Sequence, residues 1–312
     1  LFVKGVLLGI IEAKKLTVGP QNVLEQAKRY SSGAVQGPGN WDGQRVPFLY
    51  STNGEVIFFL DTRAEKRTSR QISSFHSPVA LESFFAADLK AASDRLKASP
   101  IERIERLRPY QRECISAVEA AIADGRRTML IAEATGCGKT FQTVAQIYRL
   151  LQSKTAKRIL FLVDRKALAA QAVREFNSFT TPDGNKLVNE YEVYSQRFRR
   201  EDFEEGQAFD SKVLPAEYLT NPKDSHTFVY VSTIQRMTIN LFGHERAFPS
   251  TGGDADTEDE TGKLDIPNHA FDLVIADECH RGYSSQEMST WREVMQYFDA
   301  IKIGLTATPA AH

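Results

Sequence analysis

A chain of 312 residues has room for about two domains. With 42% hydrophobic and 25% charged residues it has an ordinary globular make-up, and no apolar run is long enough to cross a membrane. A net charge of −1 excludes a uniformly basic nucleic-acid coat, so any contact with DNA or RNA must come from local patches.

Cys114, Cys137 and Cys279 lie far apart and form no CxxC pair. That argues against a disulfide framework or a structural zinc site and for a reducing cytosol. The first residue is Leu, and the run after it is too short and too soon basic for a signal peptide. The last residues, Pro309 to His312, come just after a strand-like segment. The chain is therefore read as an excerpt of something longer.

In chain order, Val6 to Glu12 is rich in Val, Leu and Ile, as expected of a buried strand. Gln21 to Tyr30 has helical character. Val46 to Asp61 predicts a hairpin, in which VPFLYS and EVIFFLD flank Thr52-Asn53-Gly54. From Ser77 to Arg106 the pattern is helical, through Leu81, Phe84, Phe85 and Leu89, until Pro100 breaks it. This predicts a smaller α/β domain over residues 1–76, a helical linker over 77–106 and a second domain over 107–312.

From Leu107 strands and helices alternate. Ile115, Val118 and Ile122 share a helical face, and Thr128 to Ile131 reads as a strand. The next helix sets Phe141, Val144, Ala145, Tyr148 and Leu151 on one side. Further strands are expected at Arg158–Val163, Thr227–Ser232, Asp272–Ala276 and Ile301–Leu305. Short β-rich runs flanked by helices predict a parallel sheet with helices on both faces. Gln196–Ser225 is charged and poorly periodic, and the acidic GGDADTEDETG of Gly252–Gly262 reads as a mobile surface loop.

Two constellations carry chemistry in the second domain. The strand TMLIA runs into Glu133-Ala-Thr135-Gly136-Cys137-Gly138-Lys139-Thr140 and then the amphipathic helix. Gly136 and Gly138 let successive N–H groups turn toward phosphate oxygens, and the helix adds its positive end. Lys139 would reach the β and γ phosphates and the Thr140 hydroxyl would bind Mg²⁺. Glu133 stands where the strict Walker A pattern has glycine. Downstream, the apolar Phe271–Ala276 ends in Asp277-Glu278-Cys279-His280. Two carboxylates at a strand end beside the phosphate loop suit Mg²⁺ binding by Asp277 and activation of the attacking water by Glu278.

In the first domain, the strand-like Val6–Ile11 ends in Glu12-Ala-Lys14. Side-chain alternation puts Glu12 and Lys14 on one face, where a carboxylate can hold Mg²⁺ and an ammonium can steady water or phosphorane charge. Gln26 and Tyr30 follow at helical spacing on one face. Basic residues cluster at Lys14-Lys15, Lys28-Arg29 and Arg63–Arg70, where phosphate contacts would be needed.

Residues 107–309 resemble the first RecA-like lobe of superfamily 2 helicases and translocases. Leu107-Arg-Pro-Tyr-Gln111 is similar to the family element whose Gln reads adenine, which implies ATP as the nucleotide and Gln111 as a base contact. Leu162-Val-Asp-Arg165 looks like motif Ia, and Val231-Ser-Thr233-Ile-Gln-Arg236 looks like the later strand-end motif that touches the nucleic-acid backbone. Thr306-Ala-Thr308-Pro309 matches motif III, which with His280 would couple hydrolysis to movement. The resemblance also implies a second RecA-like lobe outside these residues that supplies an arginine finger, so the 312 residues alone are expected to bind ATP but turn it over poorly.

Glu12-x-Lys14 followed by Gln26-x-x-x-Tyr30 resembles the PD-(D/E)xK nuclease core, whose upstream Asp is not among these residues. A nuclease placed before an ATPase with ATGCGKT and DECHRGY boxes is similar to the restriction subunit of type I restriction-modification enzymes; type III subunits carry the nuclease after the ATPase. That resemblance implies a type I site-specific deoxyribonuclease in the prokaryotic cytoplasm, using ATP and Mg²⁺, acting on double-stranded DNA and joined to modification (methyltransferase) and specificity subunits. Two other readings stay open here. One is a superfamily 2 helicase or repair translocase whose first domain binds DNA without cutting, the other a nucleotide-gated scaffold.

Overall fold

Residues 1–17, 24–197, 212–246, 262–278 and 285–307 are described by the structure, a computed structural model, and fall into two units, Leu1–Leu89 and Lys90–His312. The first opens with a hairpin of β1 (Phe2–Val3) and β2 (Val6–Leu7), turned by Lys4 and Gly5 at positive φ. β3 (Gly9–Ala13), α1 (Leu24–Ser32), β4 (Phe48–Thr52), β5 (Ile57–Asp61), β6 (Arg70–Ile72) and α2 (Pro78–Ala86) follow.

The run Val6–Glu12, expected as one strand, is split at Leu8. The Leu8 and Gly9 amides both donate to the Leu1 carbonyl, at 3.0 and 3.2 Å. A Cβ on Gly9 would lie 3.0 Å from Leu1 Cδ1 and 3.3 Å from the Phe48 carbonyl, so the missing side chain lets the chain change partner there. Of the expected helix Gln21–Tyr30, residues 21–23 lie outside the described residues and α1 runs on to Ser32.

The sheet order is β3-β4-β5-β6, with β3 parallel to β4 and the other pairs antiparallel. α1 is the crossover between the parallel strands and packs on both. Side chains alternate along β4, so Leu49 joins Leu24, Ala27, Val46 and Leu60 on one face. Phe48 and Tyr50 join Phe59, Ile72 and Leu81 on the other. The hairpin signalled by Asn53-Gly54 is present. Thr52 pairs with Ile57, which leaves Asn53–Val56 as the loop. The Asn53 side chain accepts from the Glu55 and Val56 amides, and Gly54 takes the positive φ.

The second unit takes up α3 (Leu89–Ala98) at its start, then α4 (Pro109–Ala123), β7 (Thr128–Ala132), α5 (Lys139–Gln152), β8 (Arg158–Val163), α6 (Lys166–Ser178) and α7 (Leu187–Glu190). β9 (Glu192–Ser195), β10 (Lys212–Val213), α8 (Ala216–Thr220), β11 (Phe228–Thr233), α9 (Ile234–Phe242), β12 (Leu273–Ala276), α10 (Ser285–Tyr297) and β13 (Ile301–Thr306) complete it. The expected helical stretch 77–106 therefore contributes α2 to the first unit and nearly all of α3 to the second. The acidic Gly252–Thr261 lies outside the described residues.

Seven strands form one parallel sheet in the order β10-β9-β11-β8-β12-β13-β7. Along β8, Ile159, Phe161 and Val163 pack with α4, α5 and α6, whereas Leu160 and Leu162 pack with α9 and α10. A strand covered on both faces has no polar side to show, which is why ILFLV, after Arg158, reads as a continuous apolar run. The fold is thus α/β, a parallel sheet with helices on both faces. No described helix is long and apolar enough to cross a membrane.

α5 is held from behind by charge. Arg149 meets Glu119 of α4 through Nε and Nη2, at 2.6 and 2.8 Å, and donates to the Ser99 carbonyl at 2.9 Å. The Arg149 side chain is 5% exposed and that of Glu119 13%. Arg149→Ala would leave a nearly buried carboxylate without its counter-charge, which costs about 3–5 kcal/mol. The expected outcome is a lower urea midpoint at unchanged m value; an unaltered midpoint would show that the pair holds nothing together.

Candidate functional site

The carboxyl ends of β7, β12 and β13 build one site. Between β7 and α5 the backbone turns through Gly136 at φ +76° and Gly138 at φ +87°, conformations that a residue with a Cβ adopts only at a cost. A Cβ on Gly136 would meet nothing within 4 Å, so space is open over the loop there. Gly138 is the N-cap of α5, and Lys139 and Thr140 form its first turn. The loop therefore joins curled backbone to the positive end of a 14-residue helix, the usual make-up of an anion cradle.

Lys139 Nζ sits inside this curl, 3.2 Å from the Glu133 carbonyl and 3.4 Å from Glu278 Oε1. Both contacts are long enough for a phosphate oxygen to replace them. Asp277 and Glu278 follow β12. The Asp277 amide donates to the Leu162 carbonyl at 2.8 Å, continuing the ladder onto β8, and the Glu278 amide donates to Asp277 Oδ1 at 3.0 Å. Glu278 has φ +52°, a left-handed conformation rare for a residue with a long side chain.

β13 runs between β7 and β12, so Thr306 ends up between the phosphate loop and the acidic pair. Its carbonyl accepts from the Glu133 amide at 2.9 Å, and its side chain is buried. Thr306, Lys139 and Glu278 are thus brought to one place. His280 and Thr308 lie outside the described residues.

Gln111 is also at the loop, with its amide engaged there. Nε2 donates to the Cys137 and Gly138 carbonyls, at 3.1 and 3.2 Å, and Oε1 accepts from the Arg108 amide at 3.0 Å to cap α4. Tyr110 Oη adds a 2.6 Å bond to the same Cys137 carbonyl. Glu133, read from sequence only as a departure from glycine, accepts from Gln142 Nε2 at 2.9 Å and from Cys137 Sγ at 3.3 Å. Burial, and then Glu133, push the Cys114 thiol up to about 12; the same two causes raise that of Cys137. Both thiols are protonated at neutral pH.

The residues read as nucleic-acid contacts divide. Arg165 is exposed at the N-cap of α6 and pairs with Asp164. Thr233 and Arg236 are buried, and Thr233 Oγ1 caps α9 by accepting from the Arg236 amide. Gln196, which sequence reasoning missed, accepts from the Thr233 amide and hydroxyl at 2.8 and 3.0 Å. Its signal is tertiary, because only the sheet order sets the end of β9 beside that of β11.

In the first unit, Lys14 Nζ lies 2.7 Å from Glu12 Oε1, so the E-x-K pair is formed on one face of β3. Gln26 Nε2 donates to Tyr30 Oη at 2.8 Å on α1, the helix packed against that strand. The basic cluster 63–70 is engaged internally. Arg63 grips Asp61 and donates to the Phe84 and Phe85 carbonyls at the end of α2. Arg67 donates to the Trp41 carbonyl, and the Arg70 guanidinium lies 4.5 Å over the Phe59 ring.

Residues 104–311 match the family described as "Type III restriction enzyme, res subunit", and residues 1–85 match "Type I restriction enzyme EcoKI endonuclease subunit second domain". Among curated proteins, the chain is 31% identical over 293 residues to the type I restriction enzyme EcoKI endonuclease subunit of Escherichia coli (strain K12), covering 86% of this chain and 22% of that protein. It is 28% identical over 331 residues to the EcoAI endonuclease subunit of Escherichia coli, covering 98% of this chain and 32% of the relative. It is 30% identical over 207 residues to the SsaAORF53P endonuclease subunit of Staphylococcus saprophyticus, covering 65% and 17%. The chain spans less than a third of the length of each of these relatives. With its larger unit in the res-subunit family and its smaller one matching a type I endonuclease-subunit domain, the chain belongs to the endonuclease subunits of type I restriction enzymes.

Proposed function

We propose that the chain works in an ATP-driven restriction subunit, its second unit binding and hydrolysing ATP to move duplex DNA and its first cutting that DNA. The observation that carries this is the meeting of Lys139 with Glu278 over the Gly136–Gly138 curl, at the open edge of a parallel sheet. The site fits a polyphosphate, since it has open space above Gly136, a helix N-terminus and an ammonium held by replaceable contacts.

On this reading Lys139 leaves Glu278 and the Glu133 carbonyl for the β and γ phosphates. Glu278, relieved of its ion pair, then takes the proton of the attacking water. Gly136, Cys137 and Gly138 present backbone N–H groups to the phosphates, beside Thr135. Thr140 and Asp277 are the residues that would hold Mg²⁺, which supplies neutralisation of phosphate charge. Gln111, fastened to the loop, links the base end of the nucleotide to the phosphate end. Thr306, with His280 and Thr308, would pass the state of the site to DNA held by Arg165 and by the Thr233–Arg236 turn.

In the first unit Glu12 would hold a second Mg²⁺ and Lys14 would steady the attacking water, with Gln26 and Tyr30 beside them. The curated relatives are named as endonuclease subunits of type I enzymes, which supports modification and specificity subunits as partners and a cytoplasmic setting.

Two sets of variants test the two sites in the full-length protein with its partner subunits. Lys139→Ala is expected to abolish ATP binding, whereas Glu278→Gln should retain binding and lose about 10²–10⁴-fold in turnover. Equal binding by Lys139→Ala and the parent would overturn the nucleotide site. Glu12→Ala should stop plasmid cleavage while DNA-stimulated ATP turnover continues. Parent protein that turns over ATP on DNA yet never cuts would instead establish a translocase with a non-cleaving first domain.

A further inference from the structure

We propose that Glu133, which stands where phosphate-binding loops ordinarily have glycine, is a positioning residue that fastens this loop from beneath in its ligand-ready shape; the inference rests on the nucleotide reading above. The carboxylate joins two points that the curl must keep apart. Oε1 accepts from Gln142 Nε2 of α5 at 2.9 Å, and Oε2 accepts from Cys137 Sγ at 3.3 Å, midway between the two glycines. Its own amide is fixed to Thr306 of β13 at 2.9 Å. Gln142 is 2% exposed, so the anchor is set in the packed interior.

Cys137 is gripped from its other end as well. Its carbonyl accepts from Tyr110 Oη and Gln111 Nε2, and the Gly138 carbonyl accepts from the same Gln111 amide. In a trans peptide the C=O and the following N–H point in opposite directions. Holding these two carbonyls against α4 therefore turns the Gly138 and Lys139 N–H groups away from α4. The contacts at the carbonyls set where the amides aim, and Glu133 sets the level at which Cys137 sits. A carboxylate this close to a polyphosphate opposes it by charge, so its presence is consistent with an anchoring role that outweighs the repulsion. The donors aimed at it, the Gln142 amide and the Cys137 and Cys114 thiols, offset part of that repulsion.

The Cys137 thiol reports on the anchor directly. Burial raises its pKa first, and the Glu133 carboxylate raises it further, so loss of Glu133 frees the sulfur and favours the reactive thiolate. The experiment follows alkylation of Cys137 by iodoacetamide in the full-length protein, by peptide mass mapping, with and without MgATP. In parallel, KM and kcat for ATP are measured. Glu133→Ala is expected to speed nucleotide-free alkylation about fivefold, the equivalent of one hydrogen bond. It should also raise KM about tenfold with kcat changed less than about threefold, the pattern of lost binding rather than lost chemistry.

Glu133→Gln keeps an acceptor for Gln142 without the charge, and should return KM to the parent value or below. An alanine variant with unchanged alkylation and unchanged KM overturns the anchor, as does a glutamine variant as impaired as alanine. If Glu133→Ala does not fold by circular dichroism, Gln142→Leu, which removes the amide donor, is judged on the same two readouts. Absence of MgATP protection in the parent protein would overturn the nucleotide reading, while the nucleotide-free alkylation rates still decide the anchor.

Discussion

Parallel pairing of the seven strands is the constraint on which the second unit depends. Strands that all run one way deliver all their carboxyl ends, and the loops that follow, to a single edge. The phosphate-type loop and the acidic pair are nevertheless not adjacent there, because β13 runs between β7 and β12. Two strand spacings separate the ends by roughly 10 Å. Long side chains close that gap, with Lys139 reaching from one end and Glu278 from the other to meet at 3.4 Å. The positive φ at Glu278 is the backbone counterpart of this reach.

Amide side chains do much of the fastening around the edge. Gln111 ties the start of α4 to the loop after β7, and Gln196 ties the end of β9 to the turn after β11. A carboxamide offers a donor and an acceptor without a charge, so it joins two backbones in a buried place where an ion would need a partner. Glu133 performs a similar task with a charge, and the Gln142 amide and the Cys137 and Cys114 thiols converge on it. Among the buried positive charges, Arg149 faces Glu119 and two backbone carbonyls.

In the first unit, charge that looks available in one dimension is already engaged in three. Arg63, Arg67 and Arg70 suggest a phosphate-binding cluster by their spacing. Their guanidinium groups instead close the end of α2, hold the Trp41 segment and cover the Phe59 ring. Guanidinium groups combine planar stacking with several donors, and this small sheet draws on both. The Glu12–Lys14 pair is different, since two-residue alternation alone puts both groups on one face and they meet at 2.7 Å.

Much of the second unit was legible in the chain. Buried parallel strands such as ILFLV of β8 and LVIA are continuous apolar runs, and a glycine-punctuated loop between a strand and an amphipathic helix has few other uses. The bent course of β1 to β3 was not legible, because it depends on the Leu1 carbonyl and on room at Gly9, both set by chain brought back from elsewhere. Strands β9 and β10 were missed for a similar reason. They are short and partly polar, and their pairing with neighbours makes them strands. The sequence by itself determined which residues form the phosphate-type loop, the acidic pair and the E-x-K strand end, since local spacing and periodicity suffice for those. Only the tertiary structure decided that Gln111 faces the loop, that Thr233 and Arg236 are buried, and that Glu133 fastens Cys137. Those outcomes depend on which side chains share a small polar interior, and a linear pattern carries no record of that.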